Sequence, residues 1–190
     1  MKIGLFFGSF NPIHIGHLAI ANYIVEYSEL DKLWFVVSPQ NPLKEKKNLL
    51  NDYQRLEMVN RAIFDDMRFK ACDIEFKLPR PSYTIDTLTY LSEKYPDHDF
   101  TLIIGSDNYA NLEKWKNHEQ LLSQYHFIVY PRPNYPIDCN AYKGNFTIVD
   151  APLIEISSTF IRKALSEKRD IRHFLSPEVY KYIDEMGFYR

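Results

Sequence analysis

The segment GSFNPIHIGH, residues 8–17, places two histidines, His14 and His17, three positions apart and contains two glycines, Gly8 and Gly16. The glycines let a ligand approach the backbone closely, and the Ser and Asn side chains favour a turn that exposes backbone N–H groups. A helix predicted to begin near Gly16 adds the positive end of its dipole. A single histidine is more often structural, but two of them in this setting favour a phosphate site in which both rings donate hydrogen bonds.

Other phosphate and metal motifs fit this segment poorly. Neither the GxxxxGK pattern of a P-loop nor the GxGxxG pattern of a dinucleotide-binding turn occurs here, which argues against those two classes. A zinc site would need a third ligand, and no Cys or His has a compatible local spacing. We therefore assign no metal ligand to the protein.

A second group of polar residues lies in the segment ISSTFIR, residues 156–162. Its hydroxyls fall at the start of a predicted helix, and Arg162 follows Ser158 by four positions, which places both on one helical face. Exposed N–H groups, hydroxyls and a guanidinium at a helix start can bind an anion. A capped helix with a solvated Arg is the structural alternative.

Composition limits the classes of protein that the chain can represent. It has 190 residues, 45% of them apolar, and a formal net charge of −2, so it can bury a sizeable core and lacks the basic excess typical of proteins that coat nucleic acid or anionic membrane. No apolar run approaches the ~18 residues of a membrane span. The two cysteines, Cys72 and Cys139, have no CxxC partner and are expected to be buried free thiols in a cytoplasmic protein.

The elements that position these motifs alternate between strand and helix. Short apolar runs predict strands at 2–7, 32–37, 69–72, 100–104, 126–130 and 146–149. Apolar stripes predict helices at 17–27, 52–64, 84–95, 158–166 and 177–186. This order predicts an α/β fold with a doubly wound, Rossmann-like parallel sheet in a single domain, residues 1–190, whose part 157–190 is a helical C-terminal cap. The proline-rich stretch 131–143 is expected to be a surface loop.

Together the motifs resemble the nucleotidyltransferase superfamily, which shares its histidine motif with class I aminoacyl-tRNA synthetases. The segments SYTIDTL (82–88), IGSD (104–107), 112–115 and FLSPEV (174–179) extend the resemblance over nearly the whole chain to bacterial nicotinate-nucleotide adenylyltransferases. That family transfers AMP from ATP to nicotinate mononucleotide with Mg²⁺, giving nicotinate adenine dinucleotide and pyrophosphate on the route to NAD. The alternatives are an adenylyltransferase for nicotinamide mononucleotide or phosphopantetheine, or a non-catalytic nucleotide-binding module.

The resemblance also implies roles for individual residues. The catalytic residues would be His14, His17, Lys44 and Arg162. The ATP-binding residues would be Gly8, Ser9, Phe10, His14, His17, Gly105, Asp107, Ile156, Ser157, Ser158 and Arg162. The nicotinate-nucleotide-binding residues would be Ser9, Phe10, Lys44, Tyr83, Thr84 and Trp115, with Trp115 as a stacking platform for the pyridine ring.

Two positions depart from the family pattern. The family's PPHK stretch is NPLK here, residues 41–44, so Lys44 carries over but a third histidine does not. Lys116 stands where an aromatic residue often follows the family's Trp, which affects the pyridine pocket. The implied partners are ATP and nicotinate mononucleotide, with no nucleic acid or membrane, and a homo-oligomer is left open.

Overall fold

The computed structural model of the protein describes residues 1–39 and 49–190, and six strands in that part of the chain form one parallel sheet. The strands are β1 (Lys2–Gly8), β2 (Lys32–Val37), β3 (Phe69–Cys72), β4 (Asp99–Gly105), β5 (His126–Tyr130) and β6 (Asn145–Ile148). Their order is β3-β2-β1-β4-β5-β6, and each neighbouring pair is parallel. The predicted doubly wound sheet is therefore confirmed, with every strand within one residue of its expected ends.

Helices connect the strands, and the predicted ones are present. They are α1 (Ile15–Glu26), α2 (Asp52–Ala62), α3 (Thr84–Lys94), α6 (Ser158–Ser166) and α7 (Pro177–Met186). The structure adds α4 (Ser106–Tyr109) and α5 (His118–Gln124), which are too short to produce a clear apolar periodicity in the sequence. None of the described helices combines the length and the apolar character needed to cross a bilayer.

Both faces of the sheet are covered, which explains why its strands are apolar throughout. On one face, α1, α2, α6 and α7 contribute buried apolar side chains such as Ile24, Met58, Ile161 and Ile183. On the other face, α3 and α5 pack through side chains such as Leu88 and Leu121. The C-terminal helix α7 packs directly against α2 and ends at Gly187, whose φ of +64° favours glycine.

The order in which successive strands join the sheet reverses at β1. From β1 the chain moves outward to β2 and β3, and it then returns to the other side of β1 for β4, β5 and β6. A crevice forms beyond the carboxyl ends of strands where the order reverses in this way, and ligands commonly bind there. The crevice lies beyond Gly8, which ends β1, and Gly105, which ends β4.

Residues 131–143 form an irregular segment, as expected, with an isolated antiparallel bridge between Arg132 and Tyr135. Cys139 lies in this segment and is exposed, whereas Cys72 on β3 is buried; both thiols are free. The expectation of two buried thiols is thus correct for Cys72 and wrong for Cys139, because the segment packs few of its side chains into the core.

Candidate active site

An open cavity of about 360 Å³ lies at the crevice between β1 and β4. Gly8 and Ser9 from the end of β1 line it, together with Gly105 from the end of β4. The opposite wall is formed by Tyr83, Thr84 and Trp115. Six of the residues expected to bind nucleotide therefore surround one space, although they come from three distant parts of the sequence.

A smaller pocket adjoins this cavity, and the two share the side chains of Phe6 and Tyr130. The smaller pocket is lined by His14, His17 and Ile156, which were expected to bind ATP, and also by Arg132. The structure thus brings the two sequence motifs to one side of the crevice. Lys44 lies outside the described residues, so its role stays a prediction.

His14 and His17 form a stacked pair at the start of α1. Their ring centroids are 3.7 Å apart, and the His14 backbone N–H donates to His17 Nδ1 at 3.3 Å. Because Nδ1 of His17 accepts this bond, Nδ1 carries no proton and the ring proton resides on Nε2. Helix formation therefore selects the tautomer of His17 that can donate from its outer nitrogen.

The His14 ring is the buried member of this pair. Burial and the positive charge of Arg132 lower the pKa of His14 to about 4. His14 is therefore neutral at pH 7 and can offer one N–H to an anion without carrying a charge. Among the residues that the structure describes, the guanidinium groups of Arg132 and Arg162 supply positive charge at this end of the site.

The ISSTFIR segment contacts the histidine segment directly. Ser158 Oγ donates to the Pro12 carbonyl at 2.9 Å, and Arg162 Nη1 donates to the Asn11 carbonyl at 2.8 Å. Ser157 caps α6, because its hydroxyl accepts the Phe160 N–H at 3.1 Å. Ser158 and Arg162 therefore hold the shape of the loop after β1, a role that the sequence motif alone did not indicate.

Phe10 has a different position from the one its expected binding role suggests. Its ring is buried in the core, its φ is 44°, and it packs so closely on Gly8 that a Cβ there would lie 2.8 Å from the ring. Gly8 is required by this close approach. A ligand contact from Phe10 would therefore have to come from its backbone.

Asp107 lies in the first turn of α4, two positions after Gly105. Its carboxylate is 3.8 Å from Arg132 Nε, and the Arg132 backbone N–H donates to Ser106 Oγ at 2.9 Å. The start of α4, just beyond β4, is thus tied to Arg132, which lies two positions after the end of β5. Arg132 was not identified from the sequence, because it lies in a proline-rich stretch with no anion-binding motif.

Arg55 is a second site-forming residue that the sequence did not reveal. It is completely buried and donates from Nη1 to the carbonyls of Ser9 at 2.5 Å and Ser38 at 2.7 Å. Nε and Nη2 reach the carbonyls of Leu50 and Pro39. Because its partners are mostly backbone carbonyls, no side-chain pattern in the sequence could have indicated it.

Glu75 is a buried carboxyl group in the cavity wall. It accepts a 2.9 Å hydrogen bond from Thr87 Oγ1 on α3. Burial raises the pKa of Glu75, while hydrogen bonds from Ser38 and Thr87 partly oppose that rise. Glu75 thereby joins the end of β2 to the start of α3.

The described residues contain no group of three His, Cys, Asp or Glu side chains arranged to hold a metal ion. The Asp107 carboxylate beyond the end of β4 is paired with Arg132. The polar groups around the smaller pocket are mainly donors. Donors of this kind suit the oxygens of phosphate groups.

Comparisons with known proteins agree with this arrangement. The family described as cytidylyltransferase-like matches residues 5–164. A protein of Flavobacterium psychrophilum named "Probable nicotinate-nucleotide adenylyltransferase" is 52% identical over 192 residues, covering 100% of both chains. A protein of Bacteroides thetaiotaomicron with the same name is 52% identical over 97% of this chain and 92% of its own.

A solved structure shares the fold. The Plasmodium falciparum nicotinic acid mononucleotide adenylyltransferase, complexed with NaAD, superposes with a TM-score of 0.83 and 23% sequence identity. The superposition covers 99% of this chain and 97% of the other. At that identity the likeness concerns the fold, including the sheet whose crevice holds the cavity.

Proposed function

Because the chain belongs to the cytidylyltransferase-like family, and within it to the nicotinate-nucleotide adenylyltransferases, we propose that its crevice joins ATP to nicotinate mononucleotide. The products are nicotinate adenine dinucleotide and pyrophosphate. The observation that carries this assignment is the direct contact between the histidine segment and the ISSTFIR segment beside the cavity.

The reaction needs no general base from the protein. The second pKa of a phosphate monoester is about 6, so the phosphate of nicotinate mononucleotide is already ionised at pH 7. One of its oxygens attacks the α-phosphorus of ATP, and the bond from that phosphorus to the bridging oxygen breaks to release pyrophosphate. The protein has to align two anions and stabilise the charge on the transferred phosphoryl group.

Three described residues would supply that stabilisation. His17 Nε2–H and the neutral His14 ring donate to the phosphates of ATP, and Arg162 provides positive charge while one of its N–H groups holds the Asn11 carbonyl. Ser157 and Ser158 at the start of α6 support the same end of ATP. We keep Lys44 as a further catalytic residue on the family resemblance.

Mg²⁺ is compatible with these hydrogen-bond donors if it enters the site bound to the phosphates of ATP. Mg²⁺ prefers oxygen ligands and commonly keeps several waters when it binds phosphates, and it neutralises part of their charge. The protein would hold the phosphate oxygens that the ion leaves free, through His17 and Arg162.

The adenosine and pyridine halves would occupy opposite sides of the crevice. In this proposal Gly105, Asp107 and Ile156 would border the ATP side, while Tyr83, Thr84 and Trp115 would border the pyridine side. Trp115 offers an aromatic face to the ring, and the start of α3 at Thr84 offers N–H groups to the carboxylate. The expected cytoplasmic location and the absence of nucleic acid and membrane partners stay predictions.

The decisive experiment is a pyrophosphate-release assay with ATP and Mg²⁺. Nicotinate mononucleotide, nicotinamide mononucleotide and phosphopantetheine are supplied in turn, and the product is identified by its mass. We expect the fastest release with nicotinate mononucleotide and a dinucleotide product. Faster release with either other acceptor would reassign the substrate, and nucleotide binding without release from any of them would make the protein a binding module.

A further inference from the structure

Lys116 lies in the wall of the cavity immediately after Trp115 and faces the start of α3. Its Nζ is 2.9 Å and 3.2 Å from the two carboxylate oxygens of Asp86. The same Nζ lies 4.6 Å from the centre of the Tyr83 ring, which also lines the cavity. The Lys116 ammonium is therefore held at the pyridine side of the crevice by two groups of α3.

The two charges of this ion pair differ in their position relative to the cavity. Lys116 belongs to the cavity wall, whereas Asp86 does not, so the pair presents its positive end to the cavity. The start of α3 at Thr84 adds the positive end of a helix dipole to the same wall. Lys114 also lines the cavity, with its Nζ donating to Asn111 Oδ1 at 2.6 Å.

The buried carboxyl group Glu75 also lies in this wall and repels an anion when it is ionised. Burial raises the pKa of Glu75, although the hydrogen bond from Thr87 partly opposes that rise. Against this one carboxyl group stand Lys116, Lys114 and the start of α3. The wall as a whole favours a negatively charged pyridine substituent.

We propose that Lys116 is a specificity-determining residue that favours nicotinate mononucleotide over nicotinamide mononucleotide by the charge it presents to the pyridine carboxylate. The proposal rests on the proposed function of the site. The acid and the amide have nearly the same shape and differ by one negative charge, so shape alone discriminates poorly between them. A fixed positive charge beside the ring lowers the free energy of the acid complex and leaves that of the amide complex almost unchanged.

A purely structural role for Lys116 would have different consequences. The Lys116–Asp86 pair also links the Trp115 turn to α3 and could serve only to position Trp115. In that case K116Q and D86N both break the link and should affect both substrates in the same direction. A charge role gives opposite effects, because K116Q removes the cation whereas D86N removes the anion that neutralises it.

The test compares kcat/KM for the acid and the amide in the wild type, K116Q, D86N and the control K94Q. Lys94 lies at the far end of α3, with its Nζ 5.5 Å from the Tyr95 ring centre. We expect the acid-to-amide ratio to fall about three- to fivefold in K116Q, a size typical of a partly exposed charge interaction. The ratio should rise about twofold in D86N and stay constant in K94Q.

Salt gives an independent measurement. Raising KCl from about 0.05 M to about 0.5 M should lower the ratio in the wild type and much less in K116Q. A ratio that is unchanged in K116Q, or that fails to rise in D86N, overturns the proposal. These failures differ from failure of the proposed function, which would appear as a wild type that releases no pyrophosphate with nicotinate mononucleotide.

Discussion

The Tyr189 hydroxyl donates a 2.7 Å hydrogen bond to Asn11 Oδ1, although 178 positions separate the two residues. Burial raises the pKa of Tyr189, so its hydroxyl remains a donor throughout the physiological range. We expect Tyr189→Phe to lower the free energy of unfolding by about 1 kcal/mol, because Asn11 loses a buried partner. Turnover should fall as well, since Asn11 lies in the histidine segment. Urea unfolding and steady-state rates measure both effects.

Tyr27→Phe is the matched control, because Tyr27 is 72% exposed and its hydroxyl is available to water. Its stability and turnover should equal those of the wild type. If Tyr189→Phe behaves in the same way, Tyr189 does not support the loop.

Arg55 should contribute more to stability than other arginines of the chain. Arg55→Ala removes a buried guanidinium from the carbonyls of Ser9, Ser38, Pro39 and Leu50. We expect a loss of about 3–5 kcal/mol in the free energy of unfolding, as for breaking a buried charged network. Arg169→Ala, at an exposed pair 3.9 Å long, should cost less than about 1 kcal/mol. Equal losses in the two variants would show that Arg55 has no special role.

His14 should be neutral over the whole working pH range. Its pKa in the folded protein is about 4, whereas an unfolded histidine titrates near 6.5. The unfolded chain therefore binds this proton first as the pH falls. The stability contributed by neutral His14 is complete above a pH of about 6.5 and is lost as the pH falls toward about 4.

An NMR titration of the histidine ring signals tests this directly, with His14→Asn to assign the resonance. The variant should also show a shallower loss of unfolding free energy between pH 7 and pH 4.5. A His14 signal that titrates near 6.5 would contradict the burial argument.

His17 should be central to turnover. In the proposed mechanism its Nε2–H stabilises the charge that develops in the transition state, and removing one such donor commonly costs two orders of magnitude or more in kcat. His17→Ala should therefore lose at least about 100-fold in kcat while remaining folded. His173→Ala changes an exposed histidine and should retain wild-type kcat. Comparable kcat values in the two variants would remove His17 from the catalytic residues.

Trp115 should affect the binding of nicotinate mononucleotide and leave the binding of ATP largely unchanged. Trp115→Ala removes the aromatic face in the pyridine wall, so KM for nicotinate mononucleotide should rise far more than KM for ATP. Phe64→Ala changes an aromatic side chain that is 70% exposed and should leave both constants unchanged. A parallel rise in both KM values for Trp115→Ala would place this residue outside the pyridine pocket.

The sheet could be predicted closely because buried parallel strands have an unmistakable composition. The run LWFVV at 33–37 is apolar at every position, and the structure buries all five residues. The residue types and spacing of His14, His17, Ser158 and Arg162 indicated a phosphate site, and the structure brings their two segments into contact. The binding roles of these four residues stay predictions.

For other residues around the site, the neighbouring sequence contains no pattern that indicates their contacts. Arg55 contacts mainly backbone carbonyls, which carry no residue identity, and the partners of Tyr189 and Arg132 are remote in sequence. Phe10 lies inside a motif, yet its ring belongs to the core. A motif identifies which segment contributes to a site, whereas packing decides whether a given side chain or its backbone faces the ligand.

The contacts of Asn11 with Arg162 and Tyr189 also bear on how the protein is made. A ribosome delivers the histidine segment first and adds these partners 151 and 178 residues later. The sheet strands and α1 can form on the growing chain, but the loop gains these partners only after α6 and the residues following α7 have emerged. A nascent chain therefore braces the histidine segment only after Arg162 and Tyr189 have been synthesised.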